Sequence, residues 1–261
     1  MGATVGTELV RYAVAAGIAT VTLDSPANRN ALSRQLVGEL LAGLEQAAAG
    51  AASGRVRGIV LTHTGSVFCA GADLKEAAAD GVEAGARDLV RILRTILSVP
   101  VPVIARVDGV ARAGGLGILG ACDMVVARSN ATFAFSEVRI GVGPAIISLT
   151  TMPRMGSRAV SRYYLTGESF SAGAAESNGL ITVAADDVDA ALEPILAGIR
   201  LGSPQGLAES KKMAAAPMLA RLEAGADTMV EHSARLFGTD EAKEGMAAFM
   251  ERRKPAWHLP A

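Results

Sequence analysis

Twice in the first half of the chain, a short apolar run of strand length leads into a loop of small residues, and helical spacing resumes beyond it. Gly58 to Thr62 precedes the loop Cys69-Ala70-Gly71-Ala72-Asp73, and Val103 to Val107 precedes Ala113-Gly114-Gly115. Strand, helix and strand alternation of this kind demands parallel pairing through right-handed crossovers, which excludes most all-α and all-β folds. Around these two units the pattern is regular. Residues 8–14 and 18–23 read as a hairpin about Ala15-Ala16-Gly17, and Asp24-Ser25-Pro26-Ala27-Asn28 breaks the chain. Ser33 is positioned to cap a helix carrying Leu36, Val37, Leu40, Leu41 and Leu44, with Gly50 as its stop. A helix over 82–98 with Val90, Leu93 and Leu97 on one face ends at Pro100-Val101-Pro102. A short helix at 114–121 and strands at Met124–Val126 and Thr132–Phe135 follow. Beyond Pro144 the periodicity is almost wholly helical, over 157–165, 171–178, 187–200, 204–223, 226–237 and 240–251.

At 261 residues the chain is long enough for one large core, and half of it is apolar with only 4% aromatic, which suits alanine-rich helices and tight turns. A net charge of −1 provides no global field towards nucleic acid or an anionic membrane. The apolar stretch 110–127 carries Arg112 and Asp123, which argues against a membrane span. The start of the chain lacks a basic segment followed by an apolar run, so a cytoplasmic location is expected. Cys69 and Cys122 lie in apolar stretches and are expected as buried thiols. His63, His232 and His258 are scattered, so no metal site is expected.

Gly115-Leu116-Gly117-Ile118-Leu119-Gly120 matches the dinucleotide fingerprint, with Glu137 at about the distance of a ribose-binding acid. In a chain with 29 glycines this match is weak, and Gly109 to Ala113 separates it from the preceding strand. Plain helix packing explains it better.

Taken together, Asn30-Ala31-Leu32-Ser33, Phe68 to Lys75, Pro102 to Ala105, Ala121-Cys122-Asp123, Phe135 to Arg139, Thr166 to Ala172 and Phe249 to Pro255 resemble the enoyl-CoA hydratase/isomerase (crotonase) family along essentially the whole chain. The resemblance implies an α/β fold: a spiral of repeated ββα units over 1–200, then a helical oligomerisation region over 201–261 that packs homotrimers or dimers of trimers. It implies an acyl-CoA thioester as substrate, with coenzyme A entering as part of it and no separate cofactor. The thioester oxyanion would accept hydrogen bonds from the backbone N–H groups of Ala72 and Gly114, where small residues let the backbone approach.

Hydratases of the family typically use two glutamates. One is present as Glu137, at the end of an apolar strand where partial desolvation would raise its pKa. The other position is Gly117, expected to lie along the substrate in place of that glutamate. Three readings follow: hydration with Glu137 alone, double-bond isomerisation by the same carboxyl, or a catalytically silent acyl-CoA binding subunit. The context Gly114 to Gly117 with Ser136 to Gly141 is similar to the methylglutaconyl-CoA hydratase-like branch, which tips the reading towards hydration. Ala113 stands where a third glycine is usual. By the same resemblance Arg29, Ala31, Ala70, Asp73 and Lys75 lie along the coenzyme A channel. Phe249 and Arg252 match positions that reach it from a neighbouring subunit. Leu74 and Val142 would line an acyl channel or simply pack the core. Arg112 and Arg139 would pair with an acyl carboxylate, or form surface or intersubunit ion pairs.

Overall fold

The computed structural model describes residues 7–76 and 82–259. β1 (Val10–Ala15) and β2 (Ile18–Leu23) form the hairpin, paired from Val10↔Leu23 to Ala15↔Ile18. Ala16 and Gly17, both at positive φ, make the two-residue turn, whose twist matches the strands. Ser33 caps α1 (Arg34–Ala52) by accepting from the Leu36 N–H.

The chain then moves between two sheets. β3 (Gly58–His63) leads to β4 (Val67–Cys69), and α2 (Val82–Ser98) returns it to β5 (Val103–Val107) and β6 (Val110–Arg112). α3 (Gly114–Ala121) then leads to β7 (Met124–Arg128) and β8 (Thr132–Ala134). Thus β3, β5 and β7 lie, with the later β10 (Val183–Ala185), in a six-stranded sheet ordered β1-β2-β3-β5-β7-β10, and β4, β6 and β8 lie, with β9 (Phe170–Ser171), in a four-stranded one ordered β4-β6-β8-β9. Pairing is parallel except at β1–β2 and β8–β9. The passage from β5 in the large sheet to β6 in the small one needs a tight approach. At Gly109 a Cβ would lie 2.1 Å from the Ser66 carbonyl oxygen.

The large sheet is covered on both faces, which is why its strands read as continuous apolar runs. Ile59 and Leu61 of β3 point into the main core with α1 and α2, while Val60 joins Ile104, Val126 and Leu192 in a second core. That second core lies under α7 (Val188–Leu201).

After β8 come a 3-10 helix (Glu137–Ile140), α4 (Ser148–Thr151), α5 (Ser157–Thr166), β9 (Phe170–Ser171), α6 (Ala172–Asn178) and β10 (Val183–Ala185). α8 (Pro204–Phe237) and α9 (Asp240–Met250) follow α7. The two helices expected at 204–223 and 226–237 are one. Gly225, the apparent break, lies in α8 where a Cβ would meet Leu149 Cδ2 at 2.7 Å, so it serves close packing and not termination. α8 places Met218, Leu222, Ala226 and Val230 in the main core, so the helical region from 201 onward docks on its own α/β core.

Candidate active site

A cleft of about 1260 Å³ opens where the two small-residue loops, the 3-10 helix and the C-terminal helices converge. Its first wall is the loop after β4. Leu32 N–H donates to Gly71 O (2.8 Å) in an isolated parallel bridge between Leu32 and Ala72, which turns the Ala72 N–H away from Leu32. Buried Asn30 anchors this region, accepting from Ser25 N–H and donating to the carbonyls of Thr64 and Val67. Asp73 accepts from Lys75 N–H, Glu76 N–H and Asn28 Nδ2. Burial opposes ionisation of Asp73, but these hydrogen bonds, Asn28 first, hold its carboxyl below the usual range.

The second wall is the start of α3. Gly114 is the first residue of that helix, so its N–H has no partner within it. The two walls meet closely, since a Cβ on Gly71 (φ +94°) would lie 2.9 Å from Ala113 Cβ and 3.3 Å from Gly114 N. Ala113 itself adopts φ 45°, ψ −120°, a conformation suited to glycine, and so stores strain of about 1–3 kcal/mol beside the site.

The third wall carries the carboxyl of Glu137. Glu137 begins the 3-10 helix, and its Oε2 is buried with no hydrogen-bond partner. Burial pushes its pKa up to about 7, against the opposing effect of its own backbone N–H. Such a carboxyl can both take and give a proton near neutrality. Cys69 and Cys122 are buried free thiols, pushed up to about 12 by burial, so neither serves as a nucleophile.

The cleft brings together Ala72, Gly114 and Glu137 with Arg29, Ala31, Ala70, Asp73, Leu74 and Lys75. Phe249 and Arg252 of the same chain line it too, as α9 packs beside the 3-10 helix. Two expected residues are absent from its lining. Val142 is buried and supports the 3-10 helix, its N–H donating to Glu137 O at 3.1 Å. Gly117 lies behind Ile147, where a Cβ would meet Ile147 Cγ2 at 2.6 Å. The place open to a second carboxylate is therefore filled by an isoleucine.

The other glycines of the fingerprint are explained the same way. A Cβ on Gly115 would lie 2.8 Å from Cys69 O, and one on Gly120 would lie 2.8 Å from Thr150 O. Close packing of α3 accounts for the pattern without a nucleotide.

Arg112 and Arg139 both line the cleft. Arg112 donates to the carbonyls of Ala111 and Thr132 and to the hydroxyls of Thr132 and Ser169. Among the described residues, neither arginine has a carboxylate within ion-pair distance. The sequence reading missed the apolar end of the cleft, formed by Ile140, Pro144, Ala145, Ile146, Ile147 and Phe237. The run of small and aliphatic residues directly after Glu137 was the available signal.

A profile of the family described as Enoyl-CoA hydratase/isomerase matches residues 13–259. The chain is 31% identical over 243 residues to the 2,3-dehydroadipyl-CoA hydratase of Escherichia coli K12, covering 90% of this chain and 92% of that one. It is 35% identical over 213 residues to a mevalonyl-coenzyme A hydratase of Aspergillus fumigatus, covering 76% of each. The crystal structure of an enoyl-CoA hydratase from Mycobacterium avium superposes with a TM-score of 0.90 at 50% identity, over 96% of this chain and 99% of that one.

Proposed function

The chain belongs to the enoyl-CoA hydratase/isomerase family, and from that premise we propose that it adds water reversibly to the 2,3 double bond of an acyl-CoA thioester. The observation that carries the reading is the buried, partnerless Oε2 of Glu137, in the same cleft as Ala72 and Gly114 of the two small-residue loops. The thioester oxygen would accept from the N–H groups of Ala72 and Gly114. Donors placed where charge develops are commonly worth about 2.7–4 kcal/mol each. As the water oxygen bonds to C3, the π electrons move towards the thioester oxygen. Glu137 takes the water's proton and returns it to C2 as the enolate collapses. One carboxyl then serves both steps, because Ile147 occupies the space behind which Gly117 lies.

Arg29, Lys75 and Arg252 support a coenzyme A channel along the rim, with the thioester bringing its own coenzyme. The similarity of 114–117 and 136–141 to the methylglutaconyl-CoA hydratase-like branch supports testing a branched dicarboxylyl thioester, whose free carboxylate would meet Arg112 or Arg139. A homotrimer, or a pair of trimers, is the proposed assembly, supported by exposed Met250, Trp257 and Leu259 near the C-terminus. Among the described residues no helix is long and apolar enough to cross a membrane.

The apolar wall at Ile147 favours one second reading, isomerisation, since moving a proton between C2 and C4 needs only one carboxyl. A panel of 2-enoyl- and 3-enoyl-CoA thioesters separates the two. Loss of the conjugated-thioester absorbance from 2-enoyl substrates means hydration, and its appearance from 3-enoyl substrates means isomerisation. Glu137→Gln is expected to lower either activity by about 10²- to 10⁴-fold. Full activity in that variant rules out both, and tight binding with no turnover by the wild type indicates a silent binding subunit.

A further inference from the structure

Two glycines hold α9 against the 3-10 helix that carries Glu137. A Cβ on Gly245 would lie 2.5 Å from both the carbonyl carbon and oxygen of Ile140, and 2.6 Å from its Cα. From the other side, a Cβ on Gly141 would lie 2.8 Å from the carbonyl carbon and oxygen of Glu241 and 3.0 Å from Ala242 N. All of these are backbone atoms, so no rotamer change relieves the contact. The 3-10 helix transmits it directly, because the N–H groups of Gly141 and Val142 both donate to Glu137 O.

The opposite end of the same helix reaches the rim of the cleft. Phe249, one turn beyond Gly245, lines it together with Arg252 and Arg253. The tail is tied to the helix through Glu244. Arg253 donates to both carboxylate oxygens of Glu244 (2.6 and 2.8 Å), and Ala256 N–H donates to Glu244 Oε1 at 2.8 Å. One braced unit thus touches the element bearing Glu137 at one point and the basic rim at another.

We propose that Gly245 is a positioning residue, and that α9 with its tail couples recognition of the nucleotide end of the thioester to the placement of Glu137. The proposal rests on the hydratase/isomerase reading above. Its physical content is that binding energy from a part of the substrate remote from the reacting carbon is used to seat the proton-transfer group. Displacing such a group by about 1 Å costs up to about 100-fold in rate.

Gly245→Ala tests this cleanly. Alanine favours a helix more than glycine does, so any loss comes from the contact and not from the helix. Gly198→Ala in α7, with open space around it, is the control. kcat and KM are measured with an enoyl-CoA and with the matching enoyl-pantetheine, which lacks the nucleotide. Amide exchange over 137–142 is followed with and without coenzyme A.

In the wild type, removing the nucleotide is expected to lower kcat about 10-fold or more. Bound coenzyme A is expected to slow exchange over 137–142. Gly245→Ala is expected to lower kcat on the enoyl-CoA by about 10- to 100-fold with little change in KM. It should also become nearly indifferent to the nucleotide and lose the protection of 137–142. The coupling is overturned if Gly245→Ala behaves like the control, or if it loses kcat while keeping the wild-type ratio between the two thioesters. It is overturned as well if coenzyme A leaves exchange over 137–142 unchanged in an active wild type. A wild type that neither binds nor turns over any thioester sinks the functional reading along with it.

Discussion

Glu137 keeps an ionisable carboxyl in surroundings that favour its neutral form, and this sets a pH dependence separate from catalysis. Because its folded pKa lies near 7, above the ordinary 4.5, the native state binds the extra proton between those values. Its contribution to stability is therefore intact below about pH 4.5 and declines as the pH rises towards 7. At about 1.4 kcal/mol per pH unit the interval amounts to about 3 kcal/mol. Glu137→Gln, which cannot ionise, is expected to melt close to the wild type at pH 4.5 and above it at pH 8. Calorimetry across that range checks this, and a constant difference between the two proteins would contradict it. The identity of Glu137 was legible from its place after the Phe133-Ala134-Phe135 run. That its Oε2 has no partner was not, because burial of one oxygen depends on elements far apart in the chain. Ala113 is a similar case: its departure from glycine was visible, while its strained backbone follows from the contact of the two loops.

Helix α3 shows the same division over a whole element. Its glycine spacing was plain in the chain, but the reason for each glycine lies in a neighbour: the end of β4 for Gly115, the segment before α4 for Gly117, and α4 itself for Gly120. Restoring the second carboxylate by Gly117→Glu, attractive from the sequence, meets Ile147 in a helix that is buried on every side. A charge and five heavy atoms without space or partner are expected to cost about 4 kcal/mol or more and to add no hydration activity. Urea unfolding and the enoyl-CoA assay read the two effects. Increased turnover in that single variant would show that Ile147 yields more easily than its position implies. The converse holds at Gly225, which lies between two helices expected as separate and is a contact point with Leu149 inside a continuous α8.

Across the whole molecule, α8 is secured to the α/β core by a buried charge pair. Lys211 Nζ donates to Asp123 Oδ2 and to Ile96 O (2.9 Å), while Asp123 Oδ2 also accepts from Val103 N–H at 2.7 Å. The pair joins α8, the end of α2, the start of β5 and the approach to β7. Lys211→Met leaves the Asp123 carboxylate without its counter-charge in a largely buried site. It is expected to cost about 3–5 kcal/mol, read as a lower urea midpoint that added salt barely changes. Asp123 was legible only as part of the Ala121-Cys122-Asp123 motif, and Lys211 not at all, since the pair spans 88 residues. The alternation of strands and helices, the two small-residue loops and the place of Glu137 after an apolar strand were readable from the chain alone. Those follow from local periodicity, turn chemistry and motif, which act over short stretches of chain. That Ile147 takes the space of a second carboxylate, that Oε2 of Glu137 is buried without a partner, and that α9 lines the cleft of its own chain emerge only from the assembled fold. Each of these depends on which distant surfaces meet, and that is settled by packing of the complete fold.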